Sequence, residues 1–133
     1  MTPNQATSAL GSYQEMGVSG NVEQANGHGL ITMLFDALIL KLSTAKRNIE
    51  IDNIPEKAQA LSKGVAIIDG LRCALNKEQG GDIAANLDDL YDYMQRRLSL
   101  ANVNNDVEII SEVQSLAEEI REAWVLIPEE SRK

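Results

Sequence analysis

Aromatic residues are scarce in this 133-residue chain, which contains one Trp, one Phe and three Tyr, or 4% of its residues. Proline is equally rare, with three positions. This shortage disfavours a β-sandwich, because such folds use aromatic side chains in their strands and many breaker residues in their turns. Apolar residues at 44% and charged residues at 24% are typical of a globular protein. The length and composition together predict one helical domain.

Residues that carry metal or redox chemistry are also few. Cys73 is the single cysteine and His28 the single histidine, so neither an internal disulfide nor a zinc site made of His and Cys is available. No Glu-x-x-His motif and no Gly-x-x-x-x-Gly-Lys phosphate loop occurs. The sequence therefore predicts no enzyme activity, no cofactor and no metal. One alternative is phosphotransfer through His28, which otherwise reads as an ordinary residue of a first helical turn between two glycines.

Positive charge is in deficit, with 12 Lys and Arg against 20 Asp and Glu, a formal net charge of −8. Such a molecule repels phosphate backbones and anionic lipids, which predicts no nucleic-acid partner and no membrane-surface role. The first 18 residues lack a signal-peptide pattern. The apolar stretch at residues 30–42 is interrupted by Asp36 and Lys41 and is short for a bilayer. We expect a cytoplasmic protein without membrane insertion.

Four segments of helical period follow a Gly-, Ser- and Asn-rich arm at residues 1–26 and precede a tail at residues 128–133. The predicted helices cover about 27–50, 54–76, 82–102 and 105–127, all within one bundle domain at 27–127. Connections this short favour an all-α, antiparallel, up-down-up-down four-helix bundle. Its predicted core consists of the apolar residues on the inward faces, namely Leu34, Leu38, Val65, Ile68, Leu87, Tyr91, Met94, Val113, Ile120 and Trp124.

The first two helices carry more apolar surface than one stripe requires. The second set of apolar positions comprises Leu30, Met33, Ala37 and Leu40 on the first helix and Ile67, Leu71 and Ala74 on the second. These faces either complete a wide core, lie beneath the arm, or form a groove for an amphipathic helix from a partner. Gly64, inside the second helix, adds to the groove interpretation, since a helical glycine is tolerated where another chain approaches closely.

Two tyrosines on the third helix point in different directions. Tyr91 shares a face with Leu87 and Met94, whereas Tyr93 lies on the side of Arg97 and Leu100. Tyr93 is either a partly exposed ring over the flank of the bundle or, with Arg97 and Leu100, part of a partner surface, because Tyr and Arg are enriched in such surfaces.

Three stretches resemble the flagellar secretion chaperone FliS family. They are Ser12-Tyr13-Gln14 in the arm, LITMLFDALILKL in the first helix, and GGDIAANLDDLYDYMQRRLSLANVNNDVEIISEV at residues 80–113. The Ile120-Arg121-Glu122-Ala123-Trp124 run near the end is also similar. The resemblance extends over residues 12–124. One departure is Asn26-Gly27, where family members commonly have Ser-Pro, which affects the expected start of the first helix.

The resemblance implies a cytoplasmic bundle that binds the disordered C-terminal segment of flagellin, prevents premature polymerisation and helps deliver flagellin to the type III export apparatus. It also implies that Tyr13 caps an apolar groove and contacts the export gate, a role in which Met16 and Val18 would join it. A monomer that binds its client one to one is expected, with other flagellar regulators as further partners. The alternative is a bundle that sequesters a different disordered protein, such as an anti-sigma factor or another export component.

Overall fold

The computed structural model describes residues 27–127, without the side chains of residues 77–79. These residues form four helices and no strand: α1 (Gly27–Glu50), α2 (Ile54–Cys73), α3 (Lys77–Asn104) and α4 (Val107–Leu126). The predicted all-α class is confirmed. The arm at residues 1–26 and the tail at 128–133 lie outside the described residues, as do the predictions for Tyr13, Met16 and Val18.

The order of the contacts between helices establishes their directions. Positions along α1 pair with successively earlier positions of α4: Asp36 with Arg121, Ser43 with Gln114, and Lys46 with Ser111. Helices α2 and α3 show the same reversed order: Lys57 with Asn102, Val65 with Gln95, and Arg72 with Asp88. Both pairs are therefore antiparallel. Helix α1 also packs on α2, and α3 on α4, so the four helices close into a ring around the core.

Local sequence signals set most helix boundaries. Asn53 precedes α2 and accepts a hydrogen bond from Glu56 N, with Pro55 in the first turn. Asp106 accepts bonds from the backbone N–H groups of residues 108 and 109, so α4 begins after this cap and later than predicted. Within α3, Gly81 has φ 52° and ψ −128°, a conformation that suits glycine, and it interrupts the helix just before the predicted start.

The core contains large apolar side chains from all four helices. Six of the predicted core residues are buried: Leu34, Leu38, Ile68, Tyr91, Met94 and Val113. The other four, Val65, Leu87, Ile120 and Trp124, are partly buried and pack against this cluster.

Three residues predicted for a partner groove are part of the same core. Ala37, Ile67 and Leu71 are only 4%, 2% and 2% exposed, so the prediction of an accessible face is wrong at these positions. The reason lies in the ring arrangement. Because α1 packs on both α2 and α4, and α2 on both α1 and α3, each helix must bury a wide apolar face and not one narrow stripe.

Helix α1 is long and apolar enough to cross a membrane by length and composition, alone among the described helices. The apolar stretch at residues 30–42 is short for a bilayer, but the complete helix α1 is long enough to cross one. Core helices of soluble proteins pass the same test, and one face of α1 is buried against its neighbours in the bundle.

Gly64 provides a test of packing between α1, α2 and α3. A Cβ atom at this position would lie 3.6 Å from Leu38 Cδ1, 3.7 Å from Leu42 Cδ2 and 3.9 Å from Leu98 Cδ1, which is ordinary contact. We expect Gly64→Ala to raise the free energy of unfolding by up to about 1 kcal/mol through helix propensity. Gly64→Val should lower it by about 1–3 kcal/mol through overpacking. Urea unfolding distinguishes these cases, and a large loss for Gly64→Ala would contradict the packing described.

Candidate functional site

Helices α2 and α3 meet along a line of contact, the seam between them. Along one half of this seam, polar side chains join the two helices by hydrogen bonds. Arg72 donates from Nε and Nη2 to the two carboxylate oxygens of Asp88, at 2.7 and 3.3 Å, and from Nη1 to Gln95 Oε1 at 3.0 Å. Gln95 Nε2 in turn donates to Asp69 Oδ1 at 2.7 Å and to the carbonyl oxygen of Val65 at 3.1 Å. The hydrogen bond to Asp88 raises the pKa of Arg72. These bonds tie the end of α2 to the middle of α3.

A second contact joins the other ends of the same two helices. Lys57 is only 3% exposed, and its Nζ donates to the carbonyl oxygen of Asn102 at 2.8 Å and to Asn102 Oδ1 at 2.7 Å. Asn102 lies in the last turn of α3, where carbonyls lack donors within the helix and a cation is favourable. Lys57 therefore satisfies part of this helix end.

An open groove lies between these two contacts. It has a volume of about 240 Å³. Its lining is apolar from Leu61, Val65 and Leu98 and polar from Ser62, Ser99 and Asn102. Leu61 and Leu98 are only 2% and 0% exposed, so the surface open to solvent is contributed mainly by Ser62, Ser99, Val65 and Asn102.

The sequence prediction missed this groove and placed a groove on other residues. The signal that could have found it is the pair of serines on facing helices, since small polar residues at the seam leave a gap where large apolar residues would fill it. Ser62 on α2 and Ser99 on α3 are both exposed. Their positions become neighbours only through the antiparallel register of the two helices.

The residues predicted to bind a partner do not share one surface. Leu30, Met33 and Tyr93 are partly buried against the core, and Ala74 is exposed in the turn after α2. Leu40 on α1 is 50% exposed and Leu100 on α3 is 42% exposed. Because α1 and α3 are opposite members of the ring, these two leucines lie on separate sides of the bundle.

Tyr93 and Arg97 are joined to α4 through one carboxylate. Tyr93 OH donates to Glu112 Oε2 at 2.6 Å, and Arg97 Nε donates to Glu112 Oε1 at 2.8 Å. The Arg97 guanidinium carbon lies 6.0 Å from the centre of the Tyr93 ring. The hydrogen bonds from Tyr93 and Arg97 lower the pKa of Glu112, and the bond to Glu112 raises the pKa of Tyr93. The ring thus lies over the flank of the bundle, with its hydroxyl engaged.

Because of the Glu112 carboxylate, we expect the free energy of unfolding to decrease at acid pH. Because its pKa is lower in the folded chain, it stabilises the fold above its unfolded pKa of about 4.3, and this contribution is lost as the pH falls through the folded value. Glu112→Gln should therefore lose less stability than the unmodified protein between about pH 5 and pH 3. Urea unfolding at each pH measures the difference. Glu118→Gln, at an exposed position of α4, is the control, and equally steep loss in Glu112→Gln would contradict the prediction.

His28 and Trp124 connect the start of α1 to the end of α4. Trp124 Nε1 donates to the His28 carbonyl at 3.1 Å, His28 Nε2 lies 3.2 Å from the Trp124 carbonyl oxygen, and the rings stack at 4.8 Å. Phosphotransfer would need an exposed imidazole in the middle of a helix, which this position does not offer. Among the described residues, no three His, Cys, Asp or Glu side chains are grouped to hold a metal ion.

Comparison with known proteins identifies the family of this bundle. The sequence model of the flagellar protein FliS family matches residues 9–131. The flagellar secretion chaperone FliS of Salmonella typhimurium is 45% identical over 118 residues, covering 88% of this chain and 87% of that protein. The flagellar secretion chaperone FliSB of Pseudomonas aeruginosa is 40% identical over 119 residues, covering 90% and 94%. FliS of Bacillus subtilis is 32% identical over 122 residues, covering 92% and 87%. The resemblance found in the sequence is confirmed, and the chain belongs to the FliS family.

Proposed function

We propose that this protein is a cytoplasmic export chaperone that binds the disordered C-terminal segment of flagellin. By covering that segment it prevents premature polymerisation and assists delivery to the flagellar type III export apparatus. The observation that carries the proposal is the shallow cleft between α2 and α3 together with the exposed apolar side chains of Ile54 and Val103 at one end of it. Relatives named flagellar secretion chaperones support the assignment of this role. The activity is binding and not catalysis.

Exposed apolar residues extend the groove toward one end of the bundle. The bond between Lys57 and Asn102 places the start of α2 beside the end of α3. Ile54 and Val103, each near one of these ends, are exposed. A segment that folds on contact has an ordering cost, so a long series of shallow apolar contacts gives moderate affinity with a large buried area. This surface suits such a client.

We also propose a role for the arm at residues 1–26 in client binding and export. Tyr13, with Met16 and Val18, would cap the client groove and contact the export gate, in agreement with the family pattern in the arm. An arm that competes with the client would lower the apparent affinity, and its displacement would signal the loaded state. Other flagellar regulators are proposed as further partners, whereas the net charge of −8 disfavours nucleic acid. A monomer binding one client is the proposed stoichiometry.

Blocking the groove tests this function. Ser99→Arg places a long cationic side chain at the lining of the groove, and Ser115→Arg makes the same change at an exposed position of α4. We expect Ser99→Arg to weaken flagellin binding at least about tenfold, or about 1.4 kcal/mol, with an unchanged melting temperature. Ser115→Arg should bind like the unmodified protein. Isothermal titration calorimetry with purified flagellin measures the affinities.

Two results would reject the proposal. One is equal binding of flagellin and of flagellin that lacks its last helical segment. The other is tighter binding of a different disordered protein, such as an anti-sigma factor or another export component, which would reassign the client.

A further inference from the structure

Lys41 on α1 and Lys63 on α2 are a pair of positive charges at the seam between these two helices. The next residue along α2, Gly64, lies beside Leu38 and Leu42 of α1, which brings the two lysine-bearing turns to the same level of the bundle. Both lysines are partly buried. Burial and the charge of Lys63 lower the pKa of Lys41, because neighbouring ammonium groups repel each other. The fold therefore brings two like charges close together.

Neither of these lysines has an ion-pair or hydrogen-bond partner among residues 27–127. Cations that are withdrawn from water normally have one. Every other buried or partly buried cation whose side chain the structure describes is bonded, and the pairs are Lys46 with Ser111, Lys57 with Asn102, Arg72 with Asp88, Arg97 with Glu112 and Arg121 with Asp36. The seam between α1 and α2 thus offers a site for an anion, and a carboxylate placed there would offset the repulsion.

The arm has carboxylates for this site and the length to deliver one. Residues 1–26 contain Glu15 and Glu23 and no Lys, Arg or His. The arm joins α1 at Gly27, and Lys41 lies about 21 Å further along the helix axis. An extended chain from Gly27 back to Glu15 spans up to about 40 Å, whereas one from Gly27 to Glu23 spans about 14 Å. Glu15 can therefore reach the lysines, and Glu23 falls short.

An exposed apolar side chain lies next to the lysine pair. Leu40, on the same turn of α1 as Lys41, is 50% exposed. Met16 follows Glu15 in the arm, so a carboxylate held at the lysines brings the methionine within reach of Leu40. A surface ion pair is weak by itself. Because arm and bundle are one chain, however, the arm acts at an effective concentration on the order of millimolar, and weak contacts are sufficient.

We propose that the arm folds back along α1 and places the Glu15 carboxylate between the Lys41 and Lys63 ammonium groups, with Met16 on Leu40. The arm fits this site because it carries only negative charge and begins at the end of the same helix. The contact holds the middle of the arm against the first two helices. It does not depend on which client the protein binds, and its tests use the full chain alone.

Carbodiimide cross-linking tests the contact directly, because this reagent joins a carboxylate to an amine only where the two groups already meet. At low ionic strength, mass spectrometry should find Glu15 joined to Lys41 or Lys63 more often than Glu23 is. In a mixture of unlabelled and heavy-nitrogen protein, the joined peptides should carry one label, since both belong to one chain. Absence of the Glu15 products would overturn the proposal, and mixed labels would assign the site to the arm of a second copy.

Chymotrypsin cleavage after Tyr13 measures how firmly the arm is held. Combining Lys41→Gln with Lys63→Gln removes both charges, so cleavage should become about three- to fivefold faster, as expected for the loss of a surface ion pair. Combining Arg47→Gln with Arg96→Gln removes the same charge from exposed positions and should leave the rate unchanged. Circular dichroism confirms that each bundle is folded. Equal rates in the two double variants would overturn the proposal.

Nuclear magnetic resonance of the lysine side chains identifies the occupant. In Glu15→Gln the Lys41 and Lys63 resonances should shift from their positions in the unmodified protein, whereas in Glu23→Gln they should not. The shift should vanish in about 0.5 M NaCl, which screens exposed charges. If Glu15→Gln leaves the resonances in place while an added oligoglutamate peptide moves them, the site belongs to an acidic segment of another protein and the proposal is wrong.

Discussion

Replacing Tyr91 by Phe should leave the free energy of unfolding unchanged or raise it, whereas Tyr91→Ala should lower it by about 3–5 kcal/mol. Tyr91 is 3% exposed and belongs to the core cluster, so its removal leaves a cavity among well-packed neighbours. Its hydroxyl has no hydrogen-bond partner among residues 27–127. Deleting only that oxygen removes a buried unpaired polar group and keeps the ring. Urea unfolding of the two variants measures both effects.

Because of the Tyr91 hydroxyl, we expect the free energy of unfolding to decrease at alkaline pH. Burial raises the pKa of Tyr91, because the folded chain disfavours the charged phenolate. The folded state is then stabilised fully below the unfolded pKa of about 10, and this contribution is lost as the pH rises above it. Tyr91→Phe should lose less stability between about pH 9 and pH 11 than the unmodified protein.

Tyr93→Phe is the control for this pH dependence. Tyr93 is partly exposed, so solvent screens its phenolate and its contribution should be smaller. A steeper alkaline loss in Tyr91→Phe than in Tyr93→Phe would contradict the burial of the Tyr91 hydroxyl.

Lys57→Met should lower the free energy of unfolding by about 1–3 kcal/mol, because it leaves two oxygens of Asn102 without their donor. Methionine retains most of the aliphatic stem, so the loss reports the ammonium and its bonds at 2.7 and 2.8 Å more than it reports packing. Chemical denaturation is the measurement, and circular dichroism confirms that the bundle is retained.

Lys63→Met is the matched control on the same helix. Lys63 is partly exposed and lies near Lys41, whose pKa is lowered by burial and by the Lys63 charge. Removing Lys63 should change the free energy of unfolding by less than about 0.5 kcal/mol. Equal losses for Lys57→Met and Lys63→Met would show that the contact between α2 and α3 does not stabilise the fold.

Particular residues show how far local sequence determines this fold. Asn53 and Asp106 are capping residues whose side chains bond the next backbone N–H groups, and Gly81 adopts a positive φ, so the breaks beside them follow from local chemistry. The period of apolar residues also separates Tyr91, which is buried, from Tyr93, which lies on the flank. Such features depend on residues within a few positions of each other.

The candidate site depends on contacts distant in sequence, and the pattern of apolar residues was not sufficient to find it. Ala37, Ile67 and Leu71 match an accessible stripe by spacing, yet they are buried because α1 and α2 each pack on two neighbours. Ser62 and Ser99 are a signal only as a pair, and the sequence does not show that they are paired. They define a groove only because the antiparallel register brings them to the same seam.

The sequence by itself determined the helical class, the family and most of the inward faces, because each follows from the order of residues along one segment. Only the tertiary structure decided which apolar surface remains open. That outcome depends on which helix faces meet, and on where Lys57, Asn102, Arg72 and Gln95 close the seam between α2 and α3 and where they leave it open. The orientation of the Asn102 amide is likewise a tertiary property, since it is fixed by an ammonium 45 residues away in the chain.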